Sequence, residues 1–170
     1  MKRIVDLSCI VLGVGLLVFG GYLVWERYTP KLTPLESRVS LSPYPTSIAI
    51  PKIGVILPIL PSEYKNNKFQ TTKDGVSYLL TSPAPGTVGN SVMYGHNWPN
   101  LLGKLPQVMP GDKIIVSHGT KKIIYSVIFT YVVNANETHI HKNTNDTRLT
   151  LYTCTGLFDT KRFVITAIAS

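Results

Sequence analysis

One cysteine, one histidine and one arginine in this sequence each lie at the end of a strand-like run, where their side chains could act together in thiol-based catalysis. Cys154 lies in LTLYTCTG (149–156), where apolar and hydroxylated residues alternate as in a strand and a glycine marks a turn. His96 precedes Cys154 by 58 residues, and Arg162 opens another strand-like run eight residues after it. A thiolate is a strong nucleophile, an imidazole can protonate a leaving amine, and a guanidinium can stabilise an oxyanion. These three residues therefore define a candidate site for nucleophilic catalysis.

The second cysteine, Cys9, is a poor disulfide partner for Cys154. It lies within an apolar N-terminal run, far from Cys154 along the chain, so a bridge between the two is geometrically implausible. A lipid-carrying cysteine would follow such a run, and Cys9 is better interpreted as a spectator thiol. Cys154 is then an unpaired thiol, and at this stage it can be a buried structural residue, a metal ligand or a nucleophile.

The other histidines offer weaker sites. His118 lies in Ser-His-Gly, and a catalytic Ser-His-Gly-x-Cys motif would need a cysteine at position 121. This sequence has Lys121 there, so His118 is predicted to be a hairpin residue. His139 and His141 lie two apart in a polar loop and would bind a metal only with a third converging ligand. Cys154 has no C-x-x-C partner. We therefore predict no metal site and no cofactor.

The elements that must position the candidate residues are short strands divided by Pro and Gly. Gly119 predicts a hairpin between two of them, WPNLLGKL (98–105) has the apolar spacing of a short helix, and residues 134–147 form a polar loop. The predicted strands are 47–50, 53–59, 75–81, 90–94, 113–117, 121–133, 148–154 and 161–169. We predict a mainly β protein with a single closed or nearly closed eight-stranded β-barrel and short helices, with a sandwich as the alternative.

The N-terminal segment predicts a membrane anchor. Residues 7–25, LSCIVLGVGLLVFGGYLVW, carry no charge and would span roughly 28 Å as a helix. Lys2 and Arg3 precede the run and predict a cytoplasmic N-terminus, with the rest of the chain outside. The predicted organisation is therefore a cytoplasmic tip and transmembrane signal-anchor over 1–25, a proline-containing linker over 26–45, and an extracytoplasmic domain over 46–170.

The charge distribution excludes one class of function. The formal net charge is +8, yet Lys and Arg occur in runs of at most two, as in Lys121-Lys122. A nucleic-acid-binding protein would be expected to gather its positive charge into a patch or stripe. We therefore expect a solvated basic surface and no nucleic-acid partner.

Four segments resemble the sortases, a family of bacterial cysteine transpeptidases. Thr150–Cys154 reads TLYTC and is similar to the family's TLxTC motif, and GNSVMYGH (89–96) resembles the strand that delivers its catalytic histidine. LLGKLPQVMPGDKIIV (101–116) and KRFVITA (161–167) resemble the helix and turn-strand that follow and the strand carrying its essential arginine. The resemblance covers about residues 46–170, and the membrane anchor with its linker is also typical of the family.

This resemblance implies an activity and partners. The chain is expected to cleave an LPxTG-like C-terminal sorting signal through a Cys154 thioacyl-enzyme, with His96 as proton donor and acceptor. Arg162 would bind the substrate backbone and stabilise the oxyanion, and Thr153 would help to bind substrate through its backbone or hydroxyl. The acyl group would pass to an amine of the cell wall or of a pilin, anchoring surface proteins outside the membrane. Two alternatives stay open: a sortase-like thiol protease, that is, a hydrolase with poor transfer, and a catalytically inert wall-binding module.

Overall fold

Branched and aromatic residues that alternate with smaller ones, interrupted by Pro and Gly, build the strands of this protein. The computed structural model describes residues 2–29, 44–65 and 68–170. Two compact units are distinguished, Met1–Pro30 and Lys31–Ser170. The strands in the described residues are β1 (Ser47–Ile50), β2 (Val55–Ser62), β3 (Tyr64–Lys65), β4 (Lys68–Phe69), β5 (Val76–Leu79), β6 (Gly89–Gly95), β7 (Lys113–His118), β8 (Lys121–Asn134), β9 (Thr147–Thr155) and β10 (Lys161–Ala169).

Eight of these strands close into a barrel in the order β1-β2-β5-β6-β9-β10-β8-β7, and β7 pairs with β1 to complete it. The pairs β2–β5 and β6–β9 are parallel, and the other pairs are antiparallel. The short strands β3 and β4 form a separate hairpin. The predicted eight-stranded barrel is confirmed, and the sandwich alternative is wrong because the sheet closes on itself.

The barrel interior is filled by one face of each strand, and three strands bury their outer face as well. Met93, Leu151 and Ile165 pack in the interior, while their neighbours Val92, Tyr152 and Val164 form a second buried cluster on the other face. All residues from 89 to 95 of β6 are buried. Because successive side chains of a strand point to opposite faces, β6, β9 and β10 must be covered on the outside of the barrel too.

The covering comes from two segments that the sequence patterns did not predict. Phe69 of the β3–β4 hairpin packs against the outer cluster. Ile140, in a 3₁₀ turn over His139–His141, is buried in the same cluster. The segment predicted as a polar loop over 134–147 thus contains an apolar anchor, although most of its residues are polar.

Two local predictions differ from the structure. The predicted helix at 98–105 is a series of hydrogen-bonded turns that ends in a 3₁₀ turn over Leu105–Gln107. Its apolar spacing reflects burial, because Leu101, Leu102 and Leu105 are fully buried. Strand β2 begins at Val55, and not at residue 53, because Pro51–Ile53 forms a 3₁₀ turn closed by Gly54 with φ of 65°. Gly119, with φ of 59°, makes the predicted hairpin beside His118.

The N-terminal unit contains the helix α1 (Lys2–Tyr28), which continues beyond the predicted boundary at residue 25. Its segment Val11–Tyr28 is long and apolar enough to cross a membrane, a property that a signal sequence shares. Most of the predicted linker, residues 30–43, lies outside the described residues. The organisation into anchor, linker and catalytic domain stays a prediction.

Candidate active site

Cys154 and Arg162 are brought together by the antiparallel pairing of the last two strands. Cys154 is the penultimate residue of β9, Arg162 is the second residue of β10, and the two are direct cross-strand partners. Directly opposed residues of an antiparallel pair have Cβ atoms about 4.5–5.5 Å apart on the same face of the sheet. The eight-residue spacing in the sequence therefore becomes a lateral contact, and both side chains are half-buried.

His96 follows directly on β6, the strand that flanks β9 on its other side. Strand β6 runs parallel to β9, with Tyr94 opposite Tyr152 and Gly95 opposite Thr153. The rings of Tyr94 and Tyr152 stack at 5.3 Å on the outer face of the barrel. Cys154 follows Tyr152 by two residues in β9, so its side chain points to that outer face, and His96 is the first residue after the end of β6.

Thr153 connects the ends of the two strands that carry the thiol and the imidazole. Its side chain is 1% exposed, and its hydroxyl donates a 2.9 Å hydrogen bond to the carbonyl of Gly95. Thr153 therefore occupies the barrel side of the sheet, opposite to Cys154. The Thr153 hydroxyl is thus engaged within the protein, and a role for the Thr153 backbone or hydroxyl in binding substrate stays a prediction.

The environment of Cys154 favours the neutral thiol. Burial raises the pKa of Cys154, the Arg162 guanidinium opposes that rise, and the Asp159 carboxylate adds to it. The net effect is a pKa above the ordinary value of cysteine. Because the thiolate is the reactive form, attack on a carbonyl requires a group that can take up the thiol proton.

The turn between β9 and β10 shapes the rim beside the thiol. Phe158 and Asp159 both have positive φ, 53° and 57°, a left-handed conformation that is strained for residues with a side chain. Arg162 Nη1 donates hydrogen bonds to the carbonyls of Asp159, at 2.8 Å, and Lys161, at 2.9 Å. These two bonds hold the guanidinium over the turn, and the group has three further N–H donors.

A second connection joins this turn to the segment that follows β6. Asn97 Nδ2 donates a 3.3 Å hydrogen bond to Asp159 Oδ1. The adjacent His96 ring stacks on Trp98 at a centroid distance of 4.6 Å and an interplanar angle of 12°. The segment that carries His96 is thus in direct contact with the turn that follows Cys154. The sequence analysis missed Asn97 and Asp159, because nothing in their spacing shows that residues 62 apart touch.

A buried aromatic cluster lies next to the candidate residues on the outer face of the barrel. Its floor is the Tyr94–Tyr152 stack, and His141 lies against it, with Nε2 3.3 Å from the Tyr152 hydroxyl. Phe69 covers the group, 4.6 Å from the His141 ring and 5.6 Å from the Tyr94 ring. Burial lowers the pKa of His141, and the nearby His139 lowers it further.

The structure separates the two loop histidines that the sequence analysis treated alike. His139 is exposed and lies 3.1 Å from Glu137, whereas His141 is half-buried among aromatic rings. Within the described parts of the chain, no three His, Cys, Asp or Glu side chains are grouped so that they could hold a metal ion. Cys154 is a free thiol.

The family model and the relative found by sequence comparison belong to the same family. Residues 48–169 match the family model of the Sortase domain. Sortase A of Listeria monocytogenes is 30% identical over 122 residues, which cover 69% of this chain and 53% of that protein. The chain therefore spans about half the length of this relative.

Solved sortases share the fold. The crystal structure of Listeria monocytogenes sortase A is 28% identical with a TM-score of 0.61, covering 74% of this chain and 86% of that one. Corynebacterium diphtheriae sortase A is 28% identical with a TM-score of 0.66, covering 77% of this chain and 62% of that one. A Clostridium perfringens sortase D5 transpeptidase, at 21% identity, has a TM-score of 0.65, and the match covers 75% of this chain and 79% of that one. The family match over most of the chain, together with the closed barrel, shows that this protein belongs to the sortase family.

Proposed function

We propose that this protein is a cysteine transpeptidase that acts on an LPxTG-like sorting signal, with Cys154, His96 and Arg162 as its catalytic residues. The observation that carries the proposal is the strand register. Arg162 is paired directly with Cys154, and the residue before His96 is paired with the residue before Cys154. This register supports the proposal, because the thiol, the imidazole and the guanidinium all belong to residues near one end of three adjacent strands.

In the acylation step, the Cys154 sulfur attacks the carbonyl carbon of the scissile peptide bond. The thiol proton passes to His96, and Arg162 N–H donors stabilise the negative charge that develops on the carbonyl oxygen. When the tetrahedral intermediate collapses, the C–N bond breaks and His96 returns the proton to the departing amine. The products are a thioester on Cys154 and a free C-terminal fragment.

In the transfer step, an incoming amine attacks the thioester carbonyl. His96 takes a proton from the amine, the C–S bond breaks, and the proton returns to the Cys154 sulfur. The acyl group is now joined to the amine by a new amide bond, and the enzyme is regenerated without an external reductant or oxidant. Water in place of the amine would give a carboxylic acid, which is the product of the hydrolase alternative.

The same proposal covers the partners and the location. The acyl donors would be surface proteins that carry the sorting signal, and the acceptor would be an amine of a peptidoglycan precursor or a pilin lysine. Helix α1 would anchor the enzyme in the membrane, and Lys2 and Arg3 favour a cytoplasmic N-terminus. Labelling of an introduced cysteine at Ser170 by a membrane-impermeant maleimide in intact cells, in a Cys154→Ala background, tests that orientation. If the introduced cysteine is labelled only after lysis, the proposed orientation is reversed.

The decisive experiment follows an LPxTG-like peptide with and without a glycine-peptide amine by mass spectrometry. Wild-type protein should form a covalent adduct at Cys154 and divert its product from acid to amide as the amine concentration rises. Cys154→Ala should abolish both products, whereas Cys9→Ala should leave both intact. Full turnover by Cys154→Ala would overturn the site assignment. If the carboxylic acid is the sole product at saturating amine, the protein is a hydrolase and not a transpeptidase. If no peptide in a library varied around LPxTG is turned over, the binding-module alternative is favoured.

A further inference from the structure

The half of the barrel that lies opposite the candidate site has an exposed outer face. Strands β2, β1, β7 and β8 are neighbours in that order, and each packs its inner face into the barrel interior. Going around the closed barrel in either direction, β1 is four strands away from β9. The outer faces of β1 and β9 therefore point in opposite directions, and Cys154 lies on the outer face of β9.

An apolar row crosses this exposed face. Ala49 of β1 pairs with Ile56 of β2 on one side and with Ile115 of β7 on the other, and Ile115 pairs in turn with Ile124 of β8. Directly opposed residues share one face of a sheet, so the four side chains form a continuous row, called the isoleucine row below. Ile56 is 63% exposed and Ile124 is 45% exposed, and the two residues between them are half-buried. The row thus presents apolar surface to solvent.

One lysine lies on each side of the isoleucine row. Lys113 precedes Ile115 by two residues in β7, and Lys122 precedes Ile124 by two residues in β8. Because these strands are antiparallel, the two lysines lie on the same face but on opposite sides of the row. Both are exposed, and the four strands contain no Asp or Glu. The face is therefore apolar along its centre and cationic at its margins.

This combination of side chains discriminates between partners. A second copy of the chain on the same face would bring two sets of lysines together without a carboxylate from any of the four strands, and like charges repel. An anionic polymer would attract the lysines but would leave the isoleucines without an apolar contact. The surface of an anionic lipid bilayer offers both partners, phosphate groups for the lysines and apolar chains for the isoleucines.

We propose that the isoleucine row and its two flanking lysines dock the β-barrel onto the surface of an anionic bilayer, with the candidate site turned away from the lipid. This inference rests on the proposed membrane anchoring by α1. Residues 29–46, between α1 and β1, span at most about 65 Å, so the anchor keeps the barrel near the bilayer. Contacts too weak to bind a free domain then suffice, because the tether raises the effective concentration of the surface. Docking leaves Cys154 open to substrates on the side away from the membrane.

The test uses the full chain in phospholipid vesicles, in a Cys9→Ala/Cys154→Ala background with one introduced cysteine that carries a fluorophore. Ser117→Cys places the fluorophore beside the isoleucine row, because Ser117 is the register partner of Lys122. Lys142→Cys, in the segment that packs on the outer side of β6, is the control. Nitroxide-labelled lipids should quench the fluorophore at position 117 in vesicles that mix phosphatidylglycerol with phosphatidylcholine, should quench it less in phosphatidylcholine alone, and should leave the fluorophore at position 142 unquenched. Equal quenching at the two positions, or none at position 117, would overturn the proposal.

Substitutions on the face separate the contribution of charge from that of apolar contact. Lys113→Gln and Lys122→Gln should each lower the ratio of docked to undocked protein about fivefold in the anionic vesicles, the factor for one lysine near a charged membrane surface. High salt screens the lysine contribution, so these two losses should shrink in high salt, whereas the loss caused by Ile56→Thr should persist. Lys142→Gln and Val88→Thr are the matched controls, because both residues are exposed and lie outside the four strands. Losses of the same size in the control variants would contradict the assigned face.

The docking measurement is independent of the proposed activity. It needs no peptide turnover, and the background variant lacks the thiol. An alkaline wash that releases the chain from neutral vesicles would overturn the anchor, while the fluorophore at position 117 would still report whether the face binds anionic lipid. Emission that changes with the ratio of protein to lipid, and not with phosphatidylglycerol, would show that a second copy covers the face. That outcome would overturn the lipid assignment.

Discussion

Cys154 of β9 and Arg162 of β10 are direct partners across an antiparallel strand pair, and the guanidinium of Arg162 is held by the carbonyls of its own turn. This relationship gives the thiol a cation on the same face of the sheet, at the end of the strand where a carbonyl substrate can approach. The register fixes the pair more firmly than a loop contact would, because slipping β10 by one residue would turn Arg162 to the opposite face.

Replacing Arg162 by lysine tests the geometry of the oxyanion donor. Arg162→Lys keeps the charge but loses the planar, multi-donor group, so we expect the proposed peptide turnover to fall by about 10²- to 10³-fold. Steady-state kinetics with an LPxTG-like peptide provides the measurement. Lys161→Gln, at the neighbouring exposed cation, is the control and should retain turnover. Wild-type turnover by Arg162→Lys would remove Arg162 from the site.

The reactivity of the thiol should depend on the two charges that flank it. Burial raises the pKa of Cys154, so the rate of iodoacetamide alkylation should keep rising with pH beyond the ordinary cysteine pKa. Arg162→Gln should shift that profile to higher pH, because it removes the cation that lowers the pKa.

Asp159→Asn should shift the alkylation profile of Cys154 in the opposite direction. The Asp159 carboxylate raises the pKa of the thiol, and an asparagine keeps an oxygen to accept the bond from Asn97 while tolerating a positive φ. Alkylation at neutral pH should therefore be faster than in wild type. A profile that moves to higher pH in Asp159→Asn would contradict the electrostatic account.

Gly103 should be required for the loop that carries His96. A Cβ at Gly103 would lie 2.7 Å from the Asn97 carbonyl oxygen and 2.8 Å from that of Trp98. We expect Gly103→Ala to lower the free energy of unfolding by about 1–3 kcal/mol and to lower kcat, because the backbone next to His96 must move. Gly119→Ala is the matched control, since its φ of 59° costs about 1 kcal/mol but its Cβ meets open space. Urea unfolding and steady-state kinetics on the same samples measure the two effects. Equal kcat values for the two variants would argue against a role of Gly103 in positioning His96.

Acidification should weaken the packing of His141 against the aromatic residues of β6 and β9. The pKa of His141 is lowered in the folded protein, so the neutral form is the one that the fold stabilises. That contribution is fully present above the ordinary pKa of 6.5 and is lost as the pH falls through 6.5 toward the lowered folded value. The titratable groups near His141 are His139, in the same 3₁₀ turn, and the Tyr152 hydroxyl, on β9.

Urea unfolding between pH 7.5 and 5 measures the contribution of His141 to stability. The wild-type free energy of unfolding should fall over this range, and His141→Gln should flatten the dependence. His118→Gln, at the β7–β8 hairpin, should leave the slope as in wild type. Identical slopes for His141→Gln and wild type would show that another group is responsible.

Local patterns predicted most of the scaffold. The alternation around Cys154 and the Pro and Gly punctuation identified the eight barrel strands to within a few residues, and strand β10, residues 161–169, matches its predicted range. Such patterns are local, so they also misread 98–105 as a helix where buried turns have the same apolar spacing. The short β3–β4 hairpin has too few residues to give a pattern of its own.

The sequence by itself determined which residues have the chemistry for the proposed reaction: Cys154, His96 and Arg162. Their residue types and motifs are written in the chain, and the resemblance to sortases rests on those motifs. Only the tertiary structure decided their surroundings. It paired Arg162 with Cys154, placed Thr153 on the barrel side of the sheet, and brought Asp159 to the thiol. It also carried His141 from a polar loop onto the aromatic floor. These contacts join residues that are distant in sequence, and strand register and barrel closure, which no short pattern encodes, bring them together.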